Sequence, residues 1–234
     1  MEQPDLSAHG GENDAIPGID RLLALTDGVV AIAITLLVLQ LQVPVTQTLV
    51  HKDSASELWH ALQIDGPELI SYLVAFLIIA QFWLVHHRVL RNMRGHHEGL
   101  AWRNFGFLLA LTLLPFTSDL LGRYGGNPLA ITLFGLNLAA LSVSIQWISR
   151  YATNHRLSAD SVHFAHEELM GRVRSVLLLA VVAASIVTAW NATWASPYLW
   201  LLFLFVPVTA ARITDRIERS RPQQGPRPAS VPGG

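Results

Sequence analysis

The chain has 234 residues, 51 % of them hydrophobic and 14 % charged, with 16 Lys and Arg against 17 Asp and Glu. That balance excludes a disordered chain and a basic nucleic-acid binder, and a mean hydropathy of +0.38 is too high for a soluble domain, whose surface needs about a quarter charged residues. Cysteine is absent, which removes disulfide staples, thiol nucleophiles, cysteine-based zinc sites and iron–sulfur clusters; the predicted fold class is an all-α, polytopic membrane protein of one domain.

In chain order, residues 1–20 are acidic and rich in Gly and Pro, with no positive n-region. They are expected to form a disordered tail, and the first span is not a cleavable signal peptide. A bilayer core of about 30 Å needs roughly 20 apolar residues in helix, because lipid offers no partner to unpaired backbone groups. Six stretches qualify: Leu22 to Val43, Glu68 to Val85, Leu100 to Leu121, Pro128 to Ser149, Ser175 to Trp194, and Pro197 to Ile213. Between the first two, the run from Asp53 to Ile64 has the composition of a short helix on the membrane surface. Only Ala195 and Ser196 part the last two, so these read as a tight hairpin with Pro197 at a first-turn position. Pro115 inside the third span should kink it, with Thr112 placed to satisfy freed carbonyls. Asn137, Ser142, Ser144 and Gln146 give the fourth span a polar side that should face protein. The spans define a six-helix domain over residues 21–213, followed by a Pro- and Gly-rich tail, residues 214–234, expected to be disordered.

Lys and Arg accumulate in cytoplasmic loops, and with six spans fourteen of the sixteen fall on one side, leaving Lys52 and Arg123 on the other. An even number of crossings with both termini cytoplasmic follows. Tryptophan favours the headgroup level; Trp83, Trp102 and Trp147 lie at the inner span ends, and Trp190, Trp194 and Trp200 at the outer ones.

The first span carries the chemistry. Arg21, Thr26 and Asp27 stand at its inner end, where a charged group near hydrocarbon costs several kcal/mol unless paired or hydrated. Arg21 and Asp27 are six apart, too far for an intrahelical pair, so their partners should come from other helices. His86, His87 and Asn104, at the same inner level, are the candidates for a shared hydrogen-bonded knot. At 100° per residue, Gly28, Ile32, Thr35, Leu39 and Val43 share one face, with Leu36 at its edge. Such a stripe either packs on lipid and neighbouring helices, or lines a water-filled path in which rings of Ile32, Leu36 and Leu39 from several subunits form a hydrophobic constriction. Periodicity alone leaves both open.

Several motifs in this half of the chain are similar to those of the lysosomal potassium channel family and its bacterial homologues, whose first helix carries R-x-x-x-F-S-D-G followed by A-I-x-x-T-L-L. The matching residues are Arg21, Leu25-Thr26-Asp27-Gly28 and Ala31-Ile32-Ala33-Ile34-Thr35-Leu36-Leu37. Trp83 with His86 and His87 reproduces the family's W-x-x-H-H, and Asn104 with Leu114-Pro115-Phe116 matches in the third span. Beyond that span only the six-span layout is shared. The resemblance implies a homotetrameric, potassium-permeable channel in a bacterial cytoplasmic membrane, its first helix lining a central pore. Ile32, Leu36 and Leu39 then take the constriction, while Thr35 and Gly28 take the selectivity and pore-lining positions. Potassium and other monovalent cations are the permeant ions, the other partners are further copies of the chain and membrane lipids, and no cofactor, nucleic acid or enzymatic role is implied. Leu25 and Thr26 replace Phe and Ser of the motif, and Gln40 replaces a frequent acidic residue, which weakens cation attraction at the outer mouth. No T-V-G-Y-G run occurs, so a carbonyl filter in a re-entrant loop is not available.

Other readings remain beside this one. A proton-coupled secondary transporter would use Asp27 and the inner histidines as its proton site, and a membrane scaffold would carry no flux. His86-His87, His96-His97 and His163-x-x-His166-Glu167-Glu168 suggest metal ligands, but no third or fourth ligand is set by spacing; structural hydrogen bonding is the preferred role for His86 and His87. Asp119 is either a cation-attracting group at an outer vestibule or a helix-end residue. No Ser, His and acid group share one depth beside an oxyanion hole, which disfavours a hydrolase.

Overall fold

The structure, a computed structural model, describes residues 17–41, 54–64, 66–93, 98–157, 161–191, 202 and 205–219. These residues form seven helices and no strand: α1 (Pro17–Val38), α2 (Ala55–Ile64), α3 (Gly66–Arg91), α4 (Glu98–Arg123), α5 (Pro128–Asn154), α6 (Ser161–Asn191) and α7 (Val206–Arg219). Five of them, α1, α3, α4, α5 and α6, are long and apolar enough to cross a membrane. At 1.5 Å per residue, the 26 residues of α3 or α4 reach about 39 Å, beyond the hydrocarbon core on both sides.

Two helices run past the expected boundaries of the membrane domain. Pro17 starts α1, four residues before the expected domain boundary at Arg21, and α7 continues past the other boundary at 213 to Arg219. Most of the stretch from 192 to 205, with the expected hairpin at Ala195-Ser196 and much of the sixth span, lies outside the described residues. At the start of α5, Asn127 accepts from the Leu129 amide at 2.9 Å while Pro128 occupies the first turn, where its missing N–H leaves nothing unpaired. At the other end Arg156 adopts φ 53°. The Arg156 and Leu157 amides reach back to the carbonyls of Thr153 and Ala152, and Leu157 is buried. This is a Schellman stop with arginine in the position that glycine usually fills.

Helix α4 is central, packing against α1, α3 and α5, while α6 packs on α5 and α7 on α6. The core follows from apolar residues at helical spacing: Ile78 and Ile79 of α3, Phe107 and Leu111 of α4, and Ile131 and Leu138 of α5 are fully enclosed. Hydroxyl and amide pairs tie the helices together at membrane depth. Ser71 of α3 donates to the Ser118 carbonyl of α4 at 2.8 Å, Asn137 of α5 to Thr117 of α4 at 3.0 Å, and Ser142 of α5 meets Ser175 of α6 at 2.6 Å. The polar side of the fourth span thus faces protein at Asn137 and Ser142, whereas Ser144 turns back to the Ala140 carbonyl. Pro115 is buried within α4; Thr112 does not reach the carbonyl that the proline frees one turn below it, but bonds that of Leu109 at 3.0 Å. Helix α2 touches α3 and leaves Leu58, Trp59 and Leu62 exposed, in keeping with the surface helix expected there.

Candidate functional site

Helix α1 has two unlike faces. Leu22, Thr26, Val30, Ala33 and Leu37 recur at helical spacing and are buried where α1 packs on α3 and α4. Gly28, Ile32, Thr35, Leu36 and Leu39 lie on the opposite side, uncovered by the rest of the subunit: Ile32 is 61 % exposed, Leu36 45 % and Leu39 75 %. The Thr35 hydroxyl donates to the Ile32 carbonyl at 2.8 Å, so its donor is satisfied within the helix while lone pairs remain on the open face. A Cβ added at Gly28 would meet nothing within 4 Å.

Beneath this face, the buried side of the inner end holds a polar cluster. Thr26, His86 and Asn104 are each at most 1 % exposed and converge from α1, α3 and α4. The His86 Nε2–H donates to Asn104 Oδ1 at 2.7 Å, and Asn104 Nδ2 donates to Thr26 Oγ1 at 3.1 Å. With the amide oxygen facing the ring, the proton sits on Nε2 and Nδ1 is left as a lone pair. His86 Nδ1 has no partner among the described residues. The ring lies stacked on Phe107 of α4, centroids 4.2 Å apart and 10° from parallel. A second strand of the cluster runs from Asp27, whose Oδ1 accepts from the Trp83 indole N–H at 2.7 Å, and Trp83 sits 5.3 Å from the His87 ring.

The structure therefore joins Thr26, His86 and Asn104 directly, and brings Asp27 and His87 together through Trp83. It does not bring Arg21 to them; that side chain is exposed at the inner end of α1. The sequence reads Trp83 as a belt residue and as part of the W-x-x-H-H match, not as the donor to Asp27. The available signal was its place one turn before His86 and His87, at the same level as Asp27. Arg103 is a second such residue. Its guanidinium lies 3.9 Å from the Tyr151 ring centroid and 4.7 Å from that of Trp147 and donates to the Gly99 carbonyl at 2.6 Å, a cation–π clamp closing the inner ends of α4 and α5.

At the outer end, Arg123 pairs with Asp119 at 2.8 Å and reaches the Gln40 carbonyl just past α1 at 3.5 Å, where the helix dipole favours a cation. Asp119 is thus an ion-paired helix-end residue, and it borders a crevice with Gln40, Glu68 and Ser71. Among the described residues no three His, Cys, Asp or Glu side chains could hold a metal ion; His96, His97 and the side chains of His163, His166 and Glu167 lie outside them.

A sequence profile described as endosomal/lysosomal potassium channel TMEM175 matches residues 21–115, the segment from Arg21 through the inner cluster to Pro115. Over that segment the chain is similar to the TMEM175 family. It is 27 % identical over 205 residues to a potassium channel of Chryseobacterium, covering 86 % of this chain and 96 % of that protein. It is 31 % identical over 141 residues to a Streptomyces collinus potassium channel, covering 58 % and 66 %. The human endosomal/lysosomal proton channel TMEM175 is 28 % identical over 166 residues, which span 69 % of this chain but 32 % of the human protein. Among solved structures, the potassium-selective TMEM175 homologue of Chamaesiphon minutus shares the fold at a TM-score of 0.68, with 22 % identity over 84 % of this chain and 98 % of that one. A variant of the potassium channel MtTMEM175, crystallised with a nanobody fusion, matches at 0.58 and 18 % identity. The TMEM175 profile ends at residue 115, inside the third span, while the structural likeness covers 84 % of the chain.

Proposed function

We propose that this chain is the subunit of a potassium-permeable cation channel, a homotetramer whose four α1 helices line a central pore. Rings of Ile32, Leu36 and Leu39 form a hydrophobic constriction that controls wetting and ion passage. Gly28 keeps the inner pore wide, and Thr35 supplies hydroxyl oxygens beside the narrowest ring. The observation that carries this reading is the two-faced α1: its Leu22–Leu37 side is buried while the Gly28–Ile32–Thr35–Leu39 side stands open. A single six-span subunit has no internal repeat with which to enclose a cavity for alternating access, so a path on a symmetry axis is the geometry that places this face in water. The bacterial relatives named potassium channels support the ion class. Arg21, Thr26, Asp27, His86, His87 and Asn104 serve as the structural base on which α1 stands, with both termini on the cytoplasmic side and the assembly in a bacterial cytoplasmic membrane.

Planar-bilayer recording of the purified protein tests the proposal. Wild type should carry potassium current, and Ile32→Asn, which places an amide in the apolar ring, should raise open probability or conductance severalfold. No cation current, or a conductance unchanged in Ile32→Asn and Ile32→Ala, overturns it.

A second reading is favoured by the human relative's name as a proton channel and by the titratable groups Asp27, His86 and His87 near the inner end of α1: a proton-coupled transporter. The Asp27 carboxylate is held by Trp83 and His86 is enclosed, which suits a structural role better than a site that must gain and lose protons from water. Saturable flux far below channel rates would favour the transporter.

A further inference from the structure

The two ends of α1 are held differently. At the inner end the Asn104–Thr26 and Trp83–Asp27 bonds join it to α4 and α3. Toward the outer end the last buried side chain is Leu37. Beyond Val38 the chain turns through two tight bonds, from the Gln40 amide to the Leu37 carbonyl and from the Leu41 amide to that of Val38, each 3.2 Å. Carbonyls at the end of a helix need partners from elsewhere, and Arg123 of α4 supplies one: its Nη2 donates to the Gln40 carbonyl at 3.5 Å.

The guanidinium is itself held. Asp119, one turn earlier on α4, accepts from its Nε at 2.8 Å; the i, i+4 spacing puts both side chains on one face of the helix, and Nη2 is left to reach α1. The stretch of α4 that carries them is locked to α3. Ser71 donates to the Ser118 carbonyl at 2.8 Å, and the two hydroxyls stand 3.1 Å apart. At Gly122 the helices come so close that an added Cβ would lie 3.3 Å from Ser71 Cβ and 3.5 Å from Glu68 Cα. A fixed α3–α4 corner therefore presents one arginine, aligned by one carboxylate, to the residue that follows the exposed Leu39.

We infer that Arg123, oriented by Asp119, is a positioning residue for the Leu39 ring of the proposed pore: it holds the outer end of each α1 against its own subunit and away from the axis. The effect on conduction rests on the channel reading, whereas the tether belongs to the single subunit. Leucine side chains that face one another across a water-filled axis gain by leaving water, so an untethered end moves inward and narrows the ring.

Two measurements on the full chain test it. Hydrogen–deuterium exchange read by mass spectrometry follows the tether without any current: Arg123→Leu should raise exchange across residues 36–41 about threefold, the scale of one exposed charged contact. Residues 22–30 should keep their protection, because the inner cluster still holds them. Potassium currents in planar bilayers read the ring. Arg123→Leu and Asp119→Leu should each lower open probability or conductance about threefold, and in a Leu39→Ala background, where the ring has lost its bulk, Arg123→Leu should add nothing. A shared sign is the mark of positioning: if the two charges acted only through their field at the mouth, loss of the arginine would raise cation current and loss of the aspartate would lower it. Asp119→Leu carries both measurements should Arg123→Leu fail to elute as a monodisperse peak. Unchanged exchange at residues 36–41 overturns the tether. Opposite signs in the two variants, or a full Arg123→Leu effect in the Leu39→Ala background, overturns the positioning of Leu39. A wild type without potassium current overturns the channel reading and the ring with it, while the exchange result still decides the tether.

Discussion

Asn104 joins three helices through one amide, accepting from His86 and donating to Thr26. Because each partner is at most 1 % exposed, water cannot replace a lost bond, and the cost of leaving a buried group unpaired exceeds the net worth of the bond itself. Asn104→Leu, close in volume but without the amide, should therefore destabilise the subunit by about 1–3 kcal/mol, read as a lower unfolding temperature in detergent. Thr26→Val, which removes one hydroxyl bond, should cost less. Had the three groups been separate satisfied residues, the two variants would be equivalent. The polar identities were visible in the sequence, and their shared level near the inner ends of the spans marked them as candidates. Their pairing was not: spacing places His86 and His87 side by side, and only the packing of α3 on α4 decides that His86 turns inward onto Phe107 while His87 lies beside Trp83.

Among the elements, α1 is the one whose two sides answer to different surroundings. Its buried side is a core face like that of α4 or α5, while the open side carries a glycine and a threonine among branched aliphatic residues. Since a Cβ at Gly28 meets nothing within the subunit, Gly28→Leu should leave helicity and unfolding temperature of the subunit within the range of an ordinary surface change, about ±0.5 kcal/mol, yet reduce potassium current in bilayers by narrowing the inner pore. Circular dichroism and single-channel recording on the same preparation separate the two effects; unchanged current would place this face against lipid. The helical periodicity that marks the stripe is a property of the sequence, but which side of α1 is covered depends on α3 and α4, whose core residues give no hint of it before they are packed.

The whole subunit is an open chain of helices, with α4 at its centre and α6 and α7 carried on α5, and five spans leave broad apolar surface uncovered. Lipid accounts for most of that surface, but the open side of α1 acquires a role only in an assembly with an axis. Native mass measurement in detergent should give four times the 25.8 kDa of the chain; a monomer would remove the axial pore and with it the channel reading. The Arg103 clamp and the Ser142–Ser175 pair join neighbouring helices at the inner half, so assembly need not supply the stability of the individual subunit.

By itself the sequence determined the class of solvent, the five long apolar helices of bilayer length and the short helix near Trp59, because each depends on local composition and on a periodicity that any apolar environment enforces. The motifs around Arg21, Asp27 and the paired histidines also marked which helix matters. Tertiary structure alone decided which polar groups meet. It seated Asp27 on Trp83, left Arg21 apart and paired Asp119 with Arg123. Contacts of that kind turn on ångström-scale placement of one helix against another, and neither spacing nor hydropathy along a single chain encodes it in readable form.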